Sequence, residues 1–217
     1  MTAKPKGRVV PDIDLSLLNE TFSQQLTSGG VSDATATDTI LPPLLSPRGQ
    51  PVTIDRCIWR SVTLSAPDAE RLRMRDARIE NSDLANINLT SSSLERVEIV
   101  STRLTGATCN QAQWNSVLFQ ECKLNLVLLR MARLQHCVFE HCNLAEADFY
   151  AADLSGTVFR KCDLSRADLS HAKLTGADVR DCRIDGIRGT PESMAGLLIS
   201  ADQAALLITL FGVRVDV

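Results

Sequence analysis

The stretch ADFYAADLSGTVFRKCDLSRADLSHAKLTG, residues 147–176, decides the fold, because it repeats a five-residue pattern without interruption. In each block the first residue is small, the third is apolar and the others are mostly polar. Extended in both directions, this register places an apolar residue at every fifth position from Ile54 to Ile184. Neither a helix, with a period of about 3.6, nor a flat strand, with a period of about 2, produces this spacing. The pattern therefore indicates a repeat architecture.

The blocks ADFYA, ADLSG, CDLSR, ADLSH and AKLTG resemble those of the pentapeptide repeat family, and the resemblance covers about residues 52–187. It implies an all-β solenoid, a right-handed quadrilateral β-helix in which each pentapeptide forms one side and four form a coil. About seven coils then fill this region. At an inter-strand spacing of about 4.8 Å, they give a rod on the order of 32 Å long.

The residues support a four-sided coil independently of the resemblance. Such a coil stacks residues that are twenty apart, and like residues recur at that spacing. Leucines recur at 64, 84, 104, 124, 144 and 164, phenylalanines at 119, 139 and 159, and cysteines at 122, 142, 162 and 182. We expect the apolar residue and the small residue two before it to point into a narrow bore, which explains why only 4% of the chain is aromatic.

We expect three regions in the chain: an N-terminal extension that is partly loop at 1–51, the β-helix at 52–187, and a C-terminal helical cap at 188–217. Within the extension, residues 11–26 predict a short helix and residues 27–39 a loop. The apolar stretch ILPPLL at 40–45 is expected to lie across the first coil or side of the rod, since exposing it to water would be costly.

The C-terminal region predicts a helix at about 201–211. Ser200 and Gln203 form a capping box, and Gly212 is a stop signal. The helix has more apolar surface than a short exposed helix needs, so we expect it to cover the last coil, to pair with a second copy, or both. The expected cap and dimer interface consists of Leu206, Leu207, Leu210 and Phe211. Residues 213–217 alternate like a short edge strand. This helical end resembles that of the gyrase-interacting, quinolone-resistance branch of the family, which implies a homodimer.

The cysteines are the one constellation that looks like a site. Seven are present, and none has the three-residue spacing of a zinc-binding pair. Parallel stacking points neighbouring Cβ atoms the same way, which disfavours disulfides, so we expect reduced thiols that act as small hydrophobes. His136, His141 and His171 fall on outward positions with no nucleophile beside them. We therefore expect no catalytic residue, no metal and no cofactor, and a protein that is not an enzyme.

Composition excludes further functional classes. A formal net charge of −3 and a pI of about 5.6 leave the chain without a basic footprint for nucleic acid. No apolar run reaches the roughly 18 to 20 residues that a bilayer requires, and the first residues lack an apolar signal core. Together with the reduced thiols, this predicts a cytoplasmic protein with no membrane contact.

Function is therefore expected on the outer surface of the rod. There Leu118, Leu126, Leu128 and Met131 form an apolar strip that is either an interaction surface or the place where a terminal segment packs. Two functions fit. One is a non-enzymatic protein-binding scaffold whose partner is unknown. The other, implied by the family resemblance, is a DNA mimic that binds the type II topoisomerases DNA gyrase and topoisomerase IV and modulates or protects them. A mimic needs a strongly negative surface. Residues 52–187 contain 18 Asp plus Glu and 17 Lys plus Arg, a net of −1, which favours the scaffold.

Overall fold

The computed structural model describes residues 30–41, 44, 51–64 and 66–213. In these residues the chain winds into a β-solenoid of about six turns followed by one helix, close to the seven coils predicted. The strands are β1 Gly30–Ser32, β2 Thr35–Thr37, β3 Ile40–Leu41, β4 Thr53–Asp55, β5 Ile58–Arg60, β6 Thr63–Leu64, β7 Arg73–Glu80, β8 Ser93–Val100, β9 Gln113–Asn115, β10 Leu118–Gln120, β11 Arg133–Gln135, β12 Val138–Glu140 and β13 Val158–Arg160, and the helix is α1, Ala201–Leu210.

Each coil has four faces, and all the pairings between coils are parallel. We number the faces by their central residues in one coil: face 1 at Ile54, face 2 at Trp59, face 3 at Leu64 and face 4 at Ala69. Faces 1 and 2 carry most of the strands, whereas faces 3 and 4 are joined mainly by isolated bridges. On face 2, β10 pairs with β8 on one side and with β12 on the other, always at a distance of twenty residues. The twenty-residue stacking predicted from the sequence is confirmed.

The bore of the solenoid is filled by the two inward rows that the sequence predicted. Phe119, Phe139 and Phe159 stack on one another, with ring centroids 4.8 and 5.0 Å apart and nearly parallel planes. All seven cysteines are free and buried. Because the inward residues of each coil contact those of the next, the core is one continuous column along the rod.

The corners between faces are of two kinds. In a closed corner, the Ala147 N–H donates to the Leu144 carbonyl at 3.1 Å, and Glu146 between them has a φ of 59°. In an open corner this bond is missing and a side chain lies against the backbone. The Cys142 thiol there lies 3.3 Å from the Glu140 carbonyl and 3.5 Å from the Phe119 carbonyl, and it donates weakly to this pair. Cysteine at an open corner therefore combines a small apolar volume with a donor.

The interpretation of residues 27–39 as a loop is wrong where the structure describes them. Strands β1, β2 and β3 form a further coil, which pairs in parallel with β4, β5 and β6. Paired residues of these two coils are 23 apart and not 20, as in Gly30 opposite Thr53. The connection between the two coils therefore contains three extra residues. The five-residue pattern continues through Val31, Ala36 and Leu41, but out of phase with the series that starts at Ile54. Leu41 likewise forms a side of this coil, instead of lying across the next one.

The predicted C-terminal helix is confirmed as α1, and the Ser200 N–H donates to the Gln203 side-chain oxygen at 2.8 Å, which is one half of the predicted capping box. Two other predictions lie outside the described residues: the helix at 11–26 and all of the edge strand at 213–217 except Val213.

We predict that Phe139→Ala lowers the free energy of unfolding by about 3–5 kcal/mol, since it removes the middle ring of a stack that is fully buried. Leu128→Ala, on the outer surface, should change it by less than about 0.5 kcal/mol. Urea denaturation of the two variants and the parent measures both values. Equal losses in the two variants would contradict the stacked core.

Candidate interaction surface

Within the described ranges, no group of three or more His, Cys, Asp or Glu side chains is placed to hold a metal ion. In the same residues no helix has the length and apolar character that crossing a bilayer requires. Burial raises the pKa of Cys57 to about 11 and raises the pKa of Cys109 further, so these thiols stay protonated.

The charges on the outer surface are paired along the rod axis. Most pairs join an arginine to a carboxylate twenty residues away, on the neighbouring coil. The pairs include Arg75–Asp55 at 2.8 Å, Arg60–Glu80 at 3.0 Å, Arg78–Glu98 at 2.8 Å, Arg96–Asp76 at 2.6 Å and Arg160–Glu140 at 2.6 Å. Each partly exposed pair adds only about 0–1 kcal/mol to stability. These pairs also determine the charge pattern of the surface, because arginine side chains interrupt the rows of carboxylates on the outer faces.

The structure divides the strip predicted from the sequence. Leu126, Leu128 and Met131 lie together around face 4, and their exposed fractions are 49%, 36% and 54%. Leu118 lies on face 2. It is ten positions, or half a coil, before Leu128, so the two residues lie on opposite faces. Leu118 is partly buried in a column next to Val138, which is itself buried. Of the four residues of the predicted strip, the three around face 4 therefore form an open apolar surface, and Leu118 does not belong to it.

Leu126 and Met131 also occupy backbone positions that do not suit them. Their φ values are 62° and 56°, in the left-handed region, where a side chain with a Cβ costs roughly 1 kcal/mol or more. The other described corners with positive φ have glycine, alanine or a polar residue. Neither burial nor backbone preference thus accounts for a large apolar side chain at these two corners.

Two residues that the sequence reasoning missed complete this surface. The Arg130 guanidinium lies 4.8 Å from the centroid of the Tyr150 ring, and Arg130 pairs with Asp148 at 3.8 Å. The Tyr150 and His171 rings also meet edge to face, with centroids 5.2 Å apart. The twenty-residue rule already stacks Tyr150 on Arg130, so this contact was readable from the sequence. We call the set Leu126, Leu128, Arg130, Met131 and Tyr150 the mid-rod patch.

The helix α1 has one face on the solenoid and one in solvent. Leu207 is buried, and Leu210 packs against the core. The Gln203 amide donates to the carbonyls of Val179 and Cys182, both at 2.7 Å, and so anchors the helix on the last coil.

On the solvent side of α1 and just after it, Leu206, Ile208, Phe211 and Val213 are exposed by 40 to 53%. The four residues expected to act as cap and interface are therefore divided: Leu207 and Leu210 face the rod, and Leu206 and Phe211 face solvent.

Comparison with known proteins agrees with the repeat geometry. The family model described as "Pentapeptide repeat region" matches residues 132–197, and the model described as "Pentapeptide repeats (8 copies)" matches residues 73–111. Over these two segments the chain is a pentapeptide repeat protein. Proteins of this family are generally scaffolds without enzymatic activity.

Solved chains of pentapeptide repeat proteins are among the 29 that match. Full-length QnrB1, a plasmid-mediated fluoroquinolone resistance protein, is 16% identical over 85% of this chain and 100% of its own, with a TM-score of 0.37. HetL, involved in heterocyst differentiation regulation in the cyanobacterium Nostoc, is 20% identical over 78% of this chain and 86% of its own, with a TM-score of 0.28. Rfr23 from the cyanobacterium Cyanothece is 16% identical over 80% of this chain and 92% of its own, with a TM-score of 0.23.

A search of curated proteins finds no match. The TM-scores and identities to the solved chains are too low to bring a function to this chain.

We predict that Leu126→Asn and Met131→Asn leave the fold intact and raise the free energy of unfolding by about 0.5–1 kcal/mol, because asparagine tolerates the left-handed conformation better than leucine or methionine. Asn81 and Asn86 already occupy such corners of this pentapeptide repeat rod. Thermal and urea unfolding measure the change. Leu124→Asn, at a buried position, is the matched control and should destabilise strongly.

Proposed function

We propose that this pentapeptide repeat protein is a non-enzymatic scaffold that binds a protein partner through the mid-rod patch. The observation that carries the proposal is the pair of exposed apolar side chains at Leu126 and Met131, which occupy corners whose backbone favours glycine or asparagine. The backbone conformation does not favour these two side chains, and the core does not contain them. A contact with another molecule explains their presence.

The composition of the patch supports a protein as the partner. Tyrosine, arginine and methionine are enriched at the centres of protein interfaces. Tyr150 and Arg130 stack on each other beside Leu128 and Met131, and this contact fixes both long side chains before a partner arrives. Prior ordering lowers the entropy cost of binding. The free thiols support a reducing compartment, and we propose the cytoplasm.

The second function considered, mimicry of DNA at gyrase or topoisomerase IV, requires a continuous acidic row on the outside of the rod. Charge pairs interrupt such rows on the described faces. Glu140 and Arg160 illustrate this, since their side chains meet at 2.6 Å where a mimic would carry two carboxylates. The electrostatics therefore favour a protein partner other than a DNA-binding enzyme, and binding to a topoisomerase is the alternative that the experiment below distinguishes.

Affinity capture with immobilised protein from a cytoplasmic extract tests the patch. We expect the parent and the control Ser101→Asp/Glu121→Asn to retain the same partner, because both changes lie at exposed corners between faces 2 and 3, one side of the coil away from the patch. Leu128→Asp/Met131→Asn should lose it while keeping the circular dichroism spectrum of the parent and a cooperative unfolding transition in urea. Retention of every bound protein by the patch variant would refute the proposal.

The same preparations are added to a gyrase supercoiling assay with and without a quinolone. Unchanged supercoiling agrees with the scaffold. Inhibition, or relief of the quinolone effect, would establish the topoisomerase function instead.

We also propose that two copies pair through the exposed side of α1. Leu206, Ile208 and Phe211 provide an apolar surface there, while Leu207 and Gln203 hold the helix on the rod. Light scattering should give twice the chain mass of 23.7 kDa for the parent and for Leu128→Asp. Leu206→Asp/Phe211→Asp should give the mass of one chain without a change in circular dichroism. A monomeric parent at high micromolar concentration would exclude this pairing.

A further inference from the structure

The last coil contains the only Asp–Gly pair in the sequence, Asp185–Gly186. The pair lies at the corner between faces 3 and 4, where Gly186 has a φ of 65° and both residues are exposed. The Asp185 side chain is 54% exposed and accepts a hydrogen bond from Nε of Arg183 at 2.8 Å. In an Asp–Gly pair the carboxyl carbon and the next backbone nitrogen can close a five-membered ring, and glycine has no Cβ to obstruct their approach. This corner therefore combines a reactive pair with access to water.

The backbone nitrogen of Gly186 differs from the equivalent nitrogen of the preceding coil. There the Arg166 N–H donates to the Asp185 carbonyl, nineteen residues further along, at 2.8 Å. The carbonyl nineteen residues beyond Gly186 is that of Ala205, which lies in α1 and not in a further coil. Among the residues that the structure describes, the Gly186 N–H has no hydrogen-bond acceptor. The nitrogen is thus free to approach the Asp185 side chain.

We propose that Asp185 is a modification site, at which the folded rod converts aspartate to isoaspartate without an enzyme or a cofactor. The Gly186 nitrogen attacks Cγ of the protonated Asp185 carboxyl, the N–Cγ bond forms, and the carboxyl OH leaves as water with the proton of the nitrogen. Water then adds to the main-chain carbonyl carbon of Asp185 in the resulting succinimide and breaks its bond to the nitrogen, which remains bonded to Cγ and regains a proton. The main chain afterwards runs through Cγ, and the former carbonyl carbon carries a free carboxylate. One water leaves and one returns, so no mass is gained or lost.

The isomerisation loosens the coil that carries α1. Ile184 and Ile187 flank the pair, are 1% and 4% exposed, and are joined by the bond from the Ile187 N–H to the Ile184 carbonyl at 3.2 Å. One extra main-chain carbon between them disturbs the fit of both side chains in a closely packed bore. The same coil holds α1 through Gln203, whose amide donates to the Cys182 carbonyl at 2.7 Å. The attachment of the C-terminal helix therefore weakens as the molecule ages.

A second Asp–Gly pair placed in the same coil gives a matched control. Thr175→Asp creates it at an exposed corner where Gly176 has a φ of 71°, close to that of Gly186, but where the Gly176 N–H donates to the Gly196 carbonyl at 2.9 Å. The full-length Thr175→Asp protein is kept folded at neutral pH in water enriched in heavy oxygen, and samples are then digested with trypsin in ordinary water. Trypsin releases residues 184–188 as one peptide, whose isoaspartyl form separates on chromatography and carries the heavy oxygen.

We expect isoaspartate to form at position 185 within about tenfold of its rate in the free peptide 184–188, because opening an unbonded corner costs little free energy. At position 175 the rate should be about tenfold lower than at position 185, since the Gly176 N–H must first leave its hydrogen bond. Asp185→Glu keeps the charge but would have to close a larger ring, so residues 184–188 should then gain no heavy oxygen.

The thiol of Cys182 reports whether the coil loosens. Its alkylation rate under native conditions should rise severalfold once the parent has isomerised, whereas the rate at Cys137, which is fully buried further along the bore, should not change. Aged Asp185→Glu is the control and should be alkylated like the fresh parent.

Equal rates at positions 175 and 185, or no isoaspartate at 185 under conditions where the free peptide forms it, would overturn the modification site. An unchanged alkylation rate at Cys182 in isomerised protein would overturn the loosening of the last coil.

Discussion

The backbone hydrogen bonds between successive coils hold residues that are twenty apart directly above one another. The Leu128 N–H donates to the Ala107 carbonyl on the preceding coil at 2.9 Å, and the Leu128 carbonyl accepts from the Cys109 N–H of that same preceding coil at 2.7 Å. Because this ladder is parallel and in register, each side chain meets the residue at its own position in the next coil. The phenylalanine stack inside and the arginine–carboxylate pairs outside are two results of one constraint.

This register also limits what the rod can display. A row of one kind of charge along a face would place like charges about 4.8 Å apart, which is destabilising unless a partner neutralises them. Opposite charges meet in several of these rows, as in Arg78 with Glu98 and Arg160 with Glu140, whereas Asp148 stacks on Asp168. The exposed apolar residues are concentrated at only a few places along the rod. The mid-rod patch and the outer side of α1 are two of them, and we assign the two proposed contacts to these places.

The repeat region could be predicted almost completely from the sequence, because one residue in five is constrained to be apolar and the constraint recurs many times. The coil at Gly30–Leu41 was missed for a physical reason. Three extra residues shift its phase, and its bore positions use Ala34 and Ala36, which give a weak apolar signal. Leu118 was grouped with Leu128 because the two are close in sequence, although half a coil separates them in the structure. Tyr150 and Arg130 were missed although their spacing of twenty residues pointed to the contact.

The mid-rod patch has a property that binding sites of most globular proteins lack. Such sites are assembled from segments that are distant in sequence, whereas this patch lies entirely within residues 126–150, little more than one winding of the chain. Its outward side chains do not contribute to the bore, which is filled by other positions such as Leu129 and Phe149. The proposed recognition surface is therefore contained in one contiguous segment, and grafting residues 126–150 into another solenoid of the same pitch transfers these side chains together.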